Sequence, residues 1–259
     1  MARRINLNAD IAEGWGAYDI GDDASLMRII ASASVACDFH AGDYNTMHRL
    51  VMMAKELGVT IGAHPGFNDL WGFGRREIKM KPAELEYMTA YQIGALQGIA
   101  RYAGLPVTHV KPHGALSNMA AVDPGYAMAM GRAIKVVDAN LIYVALAGSE
   151  MEKAGLKLGL RVAREGFADR QYEADGNLAS RSIRGTVYRE PKKALEQALR
   201  MIEAGEVVTR DGSVIRLDVD TICVHGDEPS AVEVAKAVRA GLDKAGIQVV
   251  SLPELIGPR

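Results

Sequence analysis

Four of the six histidines in this 259-residue chain stand in the same sequence setting, at the end of a short apolar or β-branched run. His40, His64, His113 and His225 are each followed at once by Gly, Pro or Ala. A run of this kind that ends in a titratable residue and a tight turn predicts a strand leaving a buried sheet. Active sites of parallel α/β folds lie at that end of the sheet. We therefore predict that the four imidazoles meet at one rim.

Carboxylate and cationic side chains also lie at the ends of the predicted strands or just after them. Asn8 and Asp10 are spaced by two residues, so both face the same side of the first strand. Polar side chains that point into a barrel cost free energy unless they are hydrogen-bonded or wet, which favours a site there. Arg75 follows a Gly-Phe-Gly turn and, with its neighbour Arg76, could clamp an anion. The other charged residues at strand ends are Glu13, Asp43, Lys111, Glu165, Asp169, Arg170 and Asp227.

These residue types allow two kinds of chemistry. Carboxylates with neutral histidines can hold a divalent metal, for which Asp10, His40 and His64 are the candidate ligands, or perform acid–base catalysis without one. Lys111 could stabilise a developing oxyanion. The sequence has no Gly-x-Ser-x-Gly elbow, which disfavours a serine triad. The residues alone indicate a hydrolase or a lyase-like enzyme that acts on a small polar substrate.

The elements that must position these residues alternate between strand and helix patterns. This alternation predicts one α/β domain over residues 1–259, with seven or eight mainly parallel strands that close on themselves and helices outside. The predicted strands are 5–11, 33–39, 59–63, 107–111, 141–147, 160–164 and 219–224, with an eighth at 247–252. The predicted helices are 22–32, 46–57, 82–103, 123–137, 149–158, 192–204 and 230–245, and 206–218 is a candidate hairpin.

Composition narrows the function classes. The net charge of −2 and the 6% aromatic content give no reason to expect nucleic-acid binding. We expect no membrane span or signal peptide, because apolar runs are short and the N-terminus lacks an apolar core. Cys37 and Cys223 lie inside predicted strands, as buried thiols of a reducing compartment do, so we expect a cytoplasmic protein.

Seven motifs, taken as an ordered set, resemble those of the 5-oxoprolinase A-subunit family, also called the LamB/YcsF family. They run from about residue 5 to about residue 250. The motifs are LNAD at 7–10 with EG at 13–14, ACDFHAGD at 36–43, GAHP at 62–65, GFGRR at 72–76, KPHGAL at 111–116, FADR at 167–170 with DG at 175–176, and CVHGD at 223–227.

The resemblance implies a single-domain, seven-stranded β/α barrel of the glycoside hydrolase/deacetylase type, with parallel strands and outer helices. It implies ATP-dependent opening of 5-oxo-L-proline to L-glutamate, in a complex with two partner subunits, B and C. ATP would activate the stable lactam carbonyl as an acyl phosphate or a related species. This chain has no Gly-x-x-x-x-Gly-Lys-Ser/Thr loop, so we expect the partners to supply that step.

Under this hypothesis the strand-end residues divide into two sets. The catalytic set is Asp10, Glu13, His40, His64, His113 and Lys111. The substrate-binding set is Asn8, Asp43, Arg75, Glu165, Asp169, Arg170, His225 and Asp227.

Two positions depart from the family pattern. Asp38 stands where the family usually has Gly, and an added carboxylate there would raise the pKa of His40 or recruit a cation. Ser117 stands where the family usually has Tyr, which would alter the fit of the substrate.

Two other functions compete with this hypothesis. The first is a stand-alone metal-dependent deacetylase or amidohydrolase, which the barrel and the His/Asp rim suggest. The second is a non-catalytic subunit whose pocket only presents substrate.

Overall fold

A computed structural model describes residues 3–258 of the chain. The strands are β1 (Arg4–Ile11), β2 (Ser32–Ala36), β3 (Thr60–His64), β4 (Val107–Val110), β5 (Ile142–Leu146), β6 (Arg161–Phe167), β7 (Glu206–Val208), β8 (Val214–Arg216), β9 (Thr221–Val224) and β10 (Gln248–Val249). The helices are α1 (Asp23–Met27), α2 (Tyr44–Leu57), α3 (Pro82–Ala103), α4 (Gly114–Val122), α5 (Pro124–Val137), α6 (Glu150–Lys157), α7 (Pro191–Ala204), α8 (Ala231–Lys244) and α9 (Leu252–Ile256).

Seven parallel strands close into a ring in the order β1-β2-β3-β4-β5-β6-β9 and back to β1, which confirms the predicted barrel. The closing edge of β1 is shared between two strands. Residues 6–9 pair with β9, whereas Arg4 and Ile5 pair with β10. The predicted eighth strand is therefore only two residues long and lies outside the ring.

The polar stripe of β1 faces the barrel interior, as its spacing predicts. The Asn6 side-chain amide donates to Ser32 Oγ at 2.9 Å, and the Asn8 amide donates to Thr221 Oγ1 at 2.7 Å. The alternate residues Leu7, Ala9 and Ile11 belong to the hydrophobic core. Because the buried amides are hydrogen-bonded, the cost of placing them inside the barrel is offset.

Helix termini follow the expected local rules. Asp43 caps α2, since its carboxylate accepts hydrogen bonds from the backbone N–H groups of Asn45 and Thr46. Gly58 and Gly104 end α2 and α3 in the left-handed conformation, which favours glycine. The predicted hairpin is present as the antiparallel pair β7 and β8. None of the helices within residues 3–258 is long and apolar enough to cross a membrane.

Besides the short eighth strand, several segments differ from the prediction, and α9 is a helix that was not predicted. The helix predicted over 22–32 is the short α1, because Ser32 and Ala33 pair with β1 instead. The strand predicted over 33–39 ends at Ala36, since Asp38 turns the chain with a φ of 79°. The weak strand predicted over 160–164 extends to Phe167. α4 was not predicted, because Gly114 directly after His113 resembles a turn rather than the start of a helix.

Gly62 of β3 makes room for a buried ring on the neighbouring strand. It pairs with His109 of β4, and the register shifts at this point. A Cβ atom at position 62 would lie within 3.0 Å of the His109 ring. The two strands lead to His64 and Lys111, so this contact sets the spacing beneath two rim residues.

We expect Gly62→Ala to lower the free energy of unfolding by about 2–3 kcal/mol, because overpacking forces the two strands apart. Urea unfolding followed by circular dichroism measures the change. Gly94→Ala in α3 is the matched control. A Cβ there meets nothing within 4 Å, so we expect a gain of up to about 1 kcal/mol from helix propensity. A Gly62→Ala variant as stable as wild type would show that this packing is wrong.

Candidate active site

A cavity of about 530 Å³ opens at the carboxyl ends of the barrel strands. It collects residues that are far apart in the sequence, from the ends of β1, β3, β4, β6 and β9 and from the loops that follow. Of the residues predicted to form the site, those that line it are Asp10, His64, Arg75, Lys111, His113, Arg170 and His225.

Beside the cavity, Glu13, His40, His64 and His113 form one buried cluster. Glu13 Oε1 lies 3.3 Å from both His40 Nε2 and His113 Nδ1, and 4.0 Å from His64 Nε2. The His64 and His113 nitrogens are 3.0 Å apart, and the His40 ring stacks on that of His113 with centroids 3.7 Å apart. All four side chains are buried, and as a group they could hold a metal ion.

This grouping differs from the set of metal candidates named from the sequence, which stays a prediction. His40 and His64 belong to the cluster, but their partners are Glu13 and His113. Asp10 lies in a neighbouring group with Cys223 and His225, although its carboxylate also approaches His64 Nε2 to 3.4 Å. The sequence could not reveal this division, because it depends on where each side chain points.

Backbone carbonyl groups orient two of the imidazoles. His64 Nδ1 lies 2.7 Å from the Lys111 carbonyl oxygen, and His113 Nε2 lies 2.8 Å from that of Phe73. A carbonyl can only accept, so these two nitrogens carry the ring protons. The inward-facing nitrogens, His64 Nε2 and His113 Nδ1, are left with lone pairs when the rings are neutral.

The connection between β3 and α3 holds these rings in place. The backbone N–H of Gly66 donates to Gln92 Oε1, and the Gly66 carbonyl oxygen accepts from Gln92 Nε2, both at 2.9 Å. A Cβ at Gly66 would lie 2.6 Å from His40 Nδ1, so only glycine allows this approach. Phe73, in the left-handed conformation at φ 53°, presents its carbonyl to His113. Asp69 ties the loop together by accepting from Gly72 and Arg76.

Lys111 lies on the cavity floor in a network of buried charges. Its Nζ lies 2.8 Å from Asp10 Oδ1, 3.0 Å from Glu165 Oε1 and 3.1 Å from Asn8 Oδ1. Burial opposes the charge on Lys111, but the neighbouring carboxylates outweigh it and hold its pKa well above the ordinary value. Burial raises the pKa of Glu165 against the pull of Lys111. Cys223 Sγ, 3.0 Å from Nζ, completes the network.

His225 forms a second carboxylate–histidine pair across the cavity. Its Nδ1 lies 2.8 Å and 2.9 Å from the two carboxylate oxygens of Asp169, and its backbone N–H donates to the same carboxylate at 3.1 Å. Nε2 is the ring nitrogen left for the cavity. One carboxylate oxygen of Asp10 and one ring nitrogen of His225 lie within 4.8 Å of each other, so the two side chains meet at the same part of the site.

Three arginines surround the cavity, and the sequence analysis did not identify one of them, Arg181. Arg75 pairs with Asp227 at 2.7 Å, and Arg181 lies 4.0 Å from the same carboxylate. Arg170 is buried, its Nη2 donates to the Ala179 carbonyl, and its Nε has no partner among the described residues. Burial and the nearby Arg181 lower the pKa of Arg170 to about 10. Arg181 sits in a loop without any strand-end signal, which is why the sequence did not reveal it.

Several predicted site residues have other positions. Asp43 is not at the cavity, because capping α2 and accepting from Gly16 N–H use its carboxylate. Asn8 and Glu165 lie beneath Lys111, and Asp169 lies behind His225. Arg76 pairs with Asp69 rather than joining Arg75 in an anion clamp.

Asp38 acts differently from the expectation. Its φ of 79° falls in the region that glycine adopts freely, which fits the glycine that the resemblance leads us to expect at this position. The expected rise in the pKa of His40 is wrong. Burial and His113 lower that pKa to about 3, while Glu13 opposes the fall. Ser117 of α4 lines the cavity, at the position where a tyrosine would fill part of it.

Comparison with known proteins gives consistent results. A sequence profile described as the LamB/YcsF family matches residues 5–257. The 5-oxoprolinase A-subunit of Rhodopseudomonas palustris strain BisB5 is 51% identical over 248 residues, covering 95% of this chain and 98% of that protein. That of Heliobacterium modesticaldum is 51% identical over 246 residues, covering 95% and 97%. The crystal structure of the lactam utilization protein of Thermus thermophilus matches with a TM-score of 0.90 and 43% identity, covering 96% of this chain and 100% of that one.

The Lys111 network generates a prediction about stability. We expect Lys111→Met to lower the free energy of unfolding by about 3–5 kcal/mol, because it leaves two carboxylates buried without their cation. Adding Glu165→Gln removes one of those charges, so the double variant should recover at least about 1 kcal/mol. Urea unfolding of the wild type, both single variants and the double variant measures the coupling. If the two substitutions change the free energy of unfolding by strictly additive amounts, the network is contradicted.

Asp23 gives a prediction about pH. Its carboxylate accepts from the N–H of Ala12, which lies between Asp10 and Glu13, and burial raises its pKa to about 6. The raised pKa means that the charged form destabilises the fold. This cost is complete above pH 6 and disappears as the pH falls toward the ordinary value of 3.8. We expect Asp23→Asn to be about 2 kcal/mol more stable than wild type at pH 8, with the difference vanishing near pH 4.

Asp22→Asn is the matched control for Asp23→Asn. Asp22 accepts from Ser25 N–H at 3.0 Å, and this hydrogen bond lowers its pKa. Charge at Asp22 therefore stabilises the fold above pH 3.8, and the Asn variant should gain nothing at pH 8. Thermal melts at both pH values measure the two effects. Equal behaviour of the two variants would show that Asp23 is not buried in this way.

Proposed function

The chain belongs to the LamB/YcsF family, and on that premise we propose that it is the subunit of a 5-oxoprolinase that opens the lactam ring of 5-oxo-L-proline to give L-glutamate. Relatives about half identical over nearly their whole length are named as the A-subunit of 5-oxoprolinase, and that name implies an enzyme of several subunits. The observation that carries the proposal is the position of Asp10, beside His64 on one side and within reach of His225 on the other.

Opening a lactam requires a nucleophile at the carbonyl carbon, stabilisation of the oxyanion and a proton for the departing nitrogen. In our proposal Asp10 positions and deprotonates the attacking water. The Lys111 ammonium, 2.8 Å from the Asp10 carboxylate, stabilises the oxyanion. His225, oriented by Asp169, delivers the proton to the ring nitrogen, and each proton moves between groups that face the same cavity.

The carboxylate of 5-oxo-L-proline needs a cationic partner. Arg170 offers a buried guanidinium whose Nε is unpartnered within residues 3–258. Arg75 and Arg181 are already paired with Asp227, so they add positive potential at the cavity edge rather than an unpaired charge. We propose that Arg170 holds the substrate carboxylate and thereby turns the lactam carbonyl toward Lys111.

We further propose that ATP is a co-substrate of the complete enzyme and that two partner subunits, B and C, transfer its γ-phosphoryl group to the lactam carbonyl oxygen with release of ADP, so that water attack then yields L-glutamate and inorganic phosphate. The chain lacks a phosphate-binding loop sequence, which supports this division of labour. We place the enzyme in the cytoplasm, because Cys37 and Cys223 are free and buried, as thiols of a reducing compartment are.

The test measures glutamate formed from 5-oxo-L-proline by the chain alone and by the chain with subunits B and C, each with and without MgATP. We expect turnover only with all subunits and ATP. His225→Gln should lower kcat by about 10²–10⁴-fold, because it removes a general acid. His48→Gln, an exposed histidine of α2, is the control and should be as active as wild type.

Full activity of the single chain without ATP would overturn the partner requirement. It would favour the alternative of a stand-alone metal-dependent amidohydrolase or deacetylase, which the Glu13–His40–His64–His113 cluster supports. Unchanged turnover in His225→Gln would overturn the assigned role of His225. It would point to the other alternative, a subunit that only binds substrate.

A further inference from the structure

Phe167 is a cavity residue to which the proposed reaction gives no role. It ends β6 and begins the FADR motif at 167–170. Its side chain lines the cavity and is buried, with 6% of its surface exposed. Its ring contacts both Lys111 and His225, the two groups that act on the carbonyl oxygen and on the ring nitrogen of the lactam in the proposed reaction.

The Phe167 ring stacks on the His225 imidazole. The ring centroids are 5.4 Å apart and the planes are 22° from parallel, within the range in which offset stacking is favourable. Asp169 accepts a hydrogen bond from His225 Nδ1 and fixes that atom of the ring. A ring held at one nitrogen can still rock about it, whereas contact with the ring face restricts this motion. The two contacts together fix the direction of Nε2.

The charged network of the cavity floor in turn holds the Phe167 ring. Lys111 Nζ lies over the ring, 5.3 Å from its centroid, which is close enough for a cation–π interaction. Asp10 and Glu165 fix the ammonium at 2.8 Å and 3.0 Å. Because the ammonium is buried, its attraction to the aromatic face is stronger than at an exposed site. The position of the ring, and with it that of His225, therefore depends on Lys111.

Two buried side chains hold the backbone of Phe167. Its N–H donates to Tyr172 Oη at 2.8 Å, and its carbonyl oxygen accepts from Gln197 Nε2 at 2.7 Å. Neither hydrogen bond involves the Phe167 ring. We therefore expect a substitution of the ring to leave the end of β6 in place, so that its effect on the cavity can be measured.

The proposed reaction requires Lys111 and His225 to act on neighbouring atoms. The oxygen and the nitrogen of an amide are bonded to the same carbon and lie about 2.3 Å apart. The two groups must therefore be placed together, and a misplacement of about 1 Å can cost about 100-fold in rate. One ring that contacts both groups meets this requirement.

We propose that Phe167 is a positioning residue for lactam opening. Its ring holds the His225 imidazole so that Nε2 reaches the amide nitrogen while Lys111 Nζ faces the carbonyl oxygen. Phe167 acts through His225 in this role. The inference rests on the proposed function for the reaction that is served, whereas the contact between the two rings does not depend on it.

The first experiment measures kcat and KM for glutamate formation by the full complex with MgATP. We expect Phe167→Leu to lower kcat by about 10- to 100-fold and to change KM by less than about 3-fold, since it misplaces the proton donor. In the His225→Gln background the same substitution should lower kcat by less than about 3-fold, because no imidazole remains to be positioned. Phe167→Tyr, which keeps the ring, should stay within about 3-fold of wild type.

Phe39→Leu is the matched control for Phe167→Leu. The Phe39 ring contacts Tyr91, and neither residue lines the cavity. We expect this variant to be as active as wild type. Circular dichroism checks that each variant folds, and Phe167→Met replaces Phe167→Leu if the latter does not.

The second experiment needs no turnover. In the chain labelled with ¹³C at its histidine rings, stacking on Phe167 shifts the His225 ring-proton resonances upfield, and His225→Gln assigns them. We expect Phe167→Leu to remove the shift, and unmoved resonances would overturn the proposal. So would substitutions at 167 and 225 whose effects on kcat multiply fully in the double variant. If Phe167→Leu removes the shift but the wild-type complex forms no glutamate, the proposed function alone is contradicted.

Discussion

The buried ammonium of Lys111 is the interaction on which the rest of the site depends. It joins the ends of four strands, because Asn8 and Asp10 come from β1, Glu165 from β6 and Cys223 from β9, while Lys111 itself follows β4. Two carboxylates could not remain buried and ionised side by side without this cation. The same contact therefore closes the barrel at its functional end and fixes the charge of the cavity floor.

Two of the imidazoles above this floor, those of His64 and His113, are oriented by backbone carbonyl groups. The Lys111 carbonyl orients His64, so one residue supports the floor through its side chain and the rim through its main chain. The Phe73 carbonyl orients His113 from a loop that Asp69 and Gln92 tie down. Across the cavity, Asp169 does the same for His225. The arrangement leaves one nitrogen of each of these rings available for chemistry.

Sequence reasoning reached the barrel and the rim because both follow from periodicity and from where the strands end. The stripe of Asn6, Asn8 and Asp10 faces inward, as a spacing of two requires. The reasoning could not separate Asp43, which caps α2, from a true rim residue, since a carboxylate after a strand fits either position. It could not find Arg181, which a loop brings to the cavity, nor carbonyl groups that orient rings, since every residue has one. Those features arise only when the whole chain is folded.

The central claim is that one cavity, floored by Asp10 and Lys111, holds the lactam with its carboxylate on Arg170. A crystal structure of this chain with 5-oxo-L-proline bound tests that claim most directly. We predict the ligand carboxylate within hydrogen-bond distance of Arg170, with the lactam carbonyl between Lys111 and His225. A ligand seated outside this cavity, for example in the groove beside α7 lined by Arg184 and Lys193, would contradict the account.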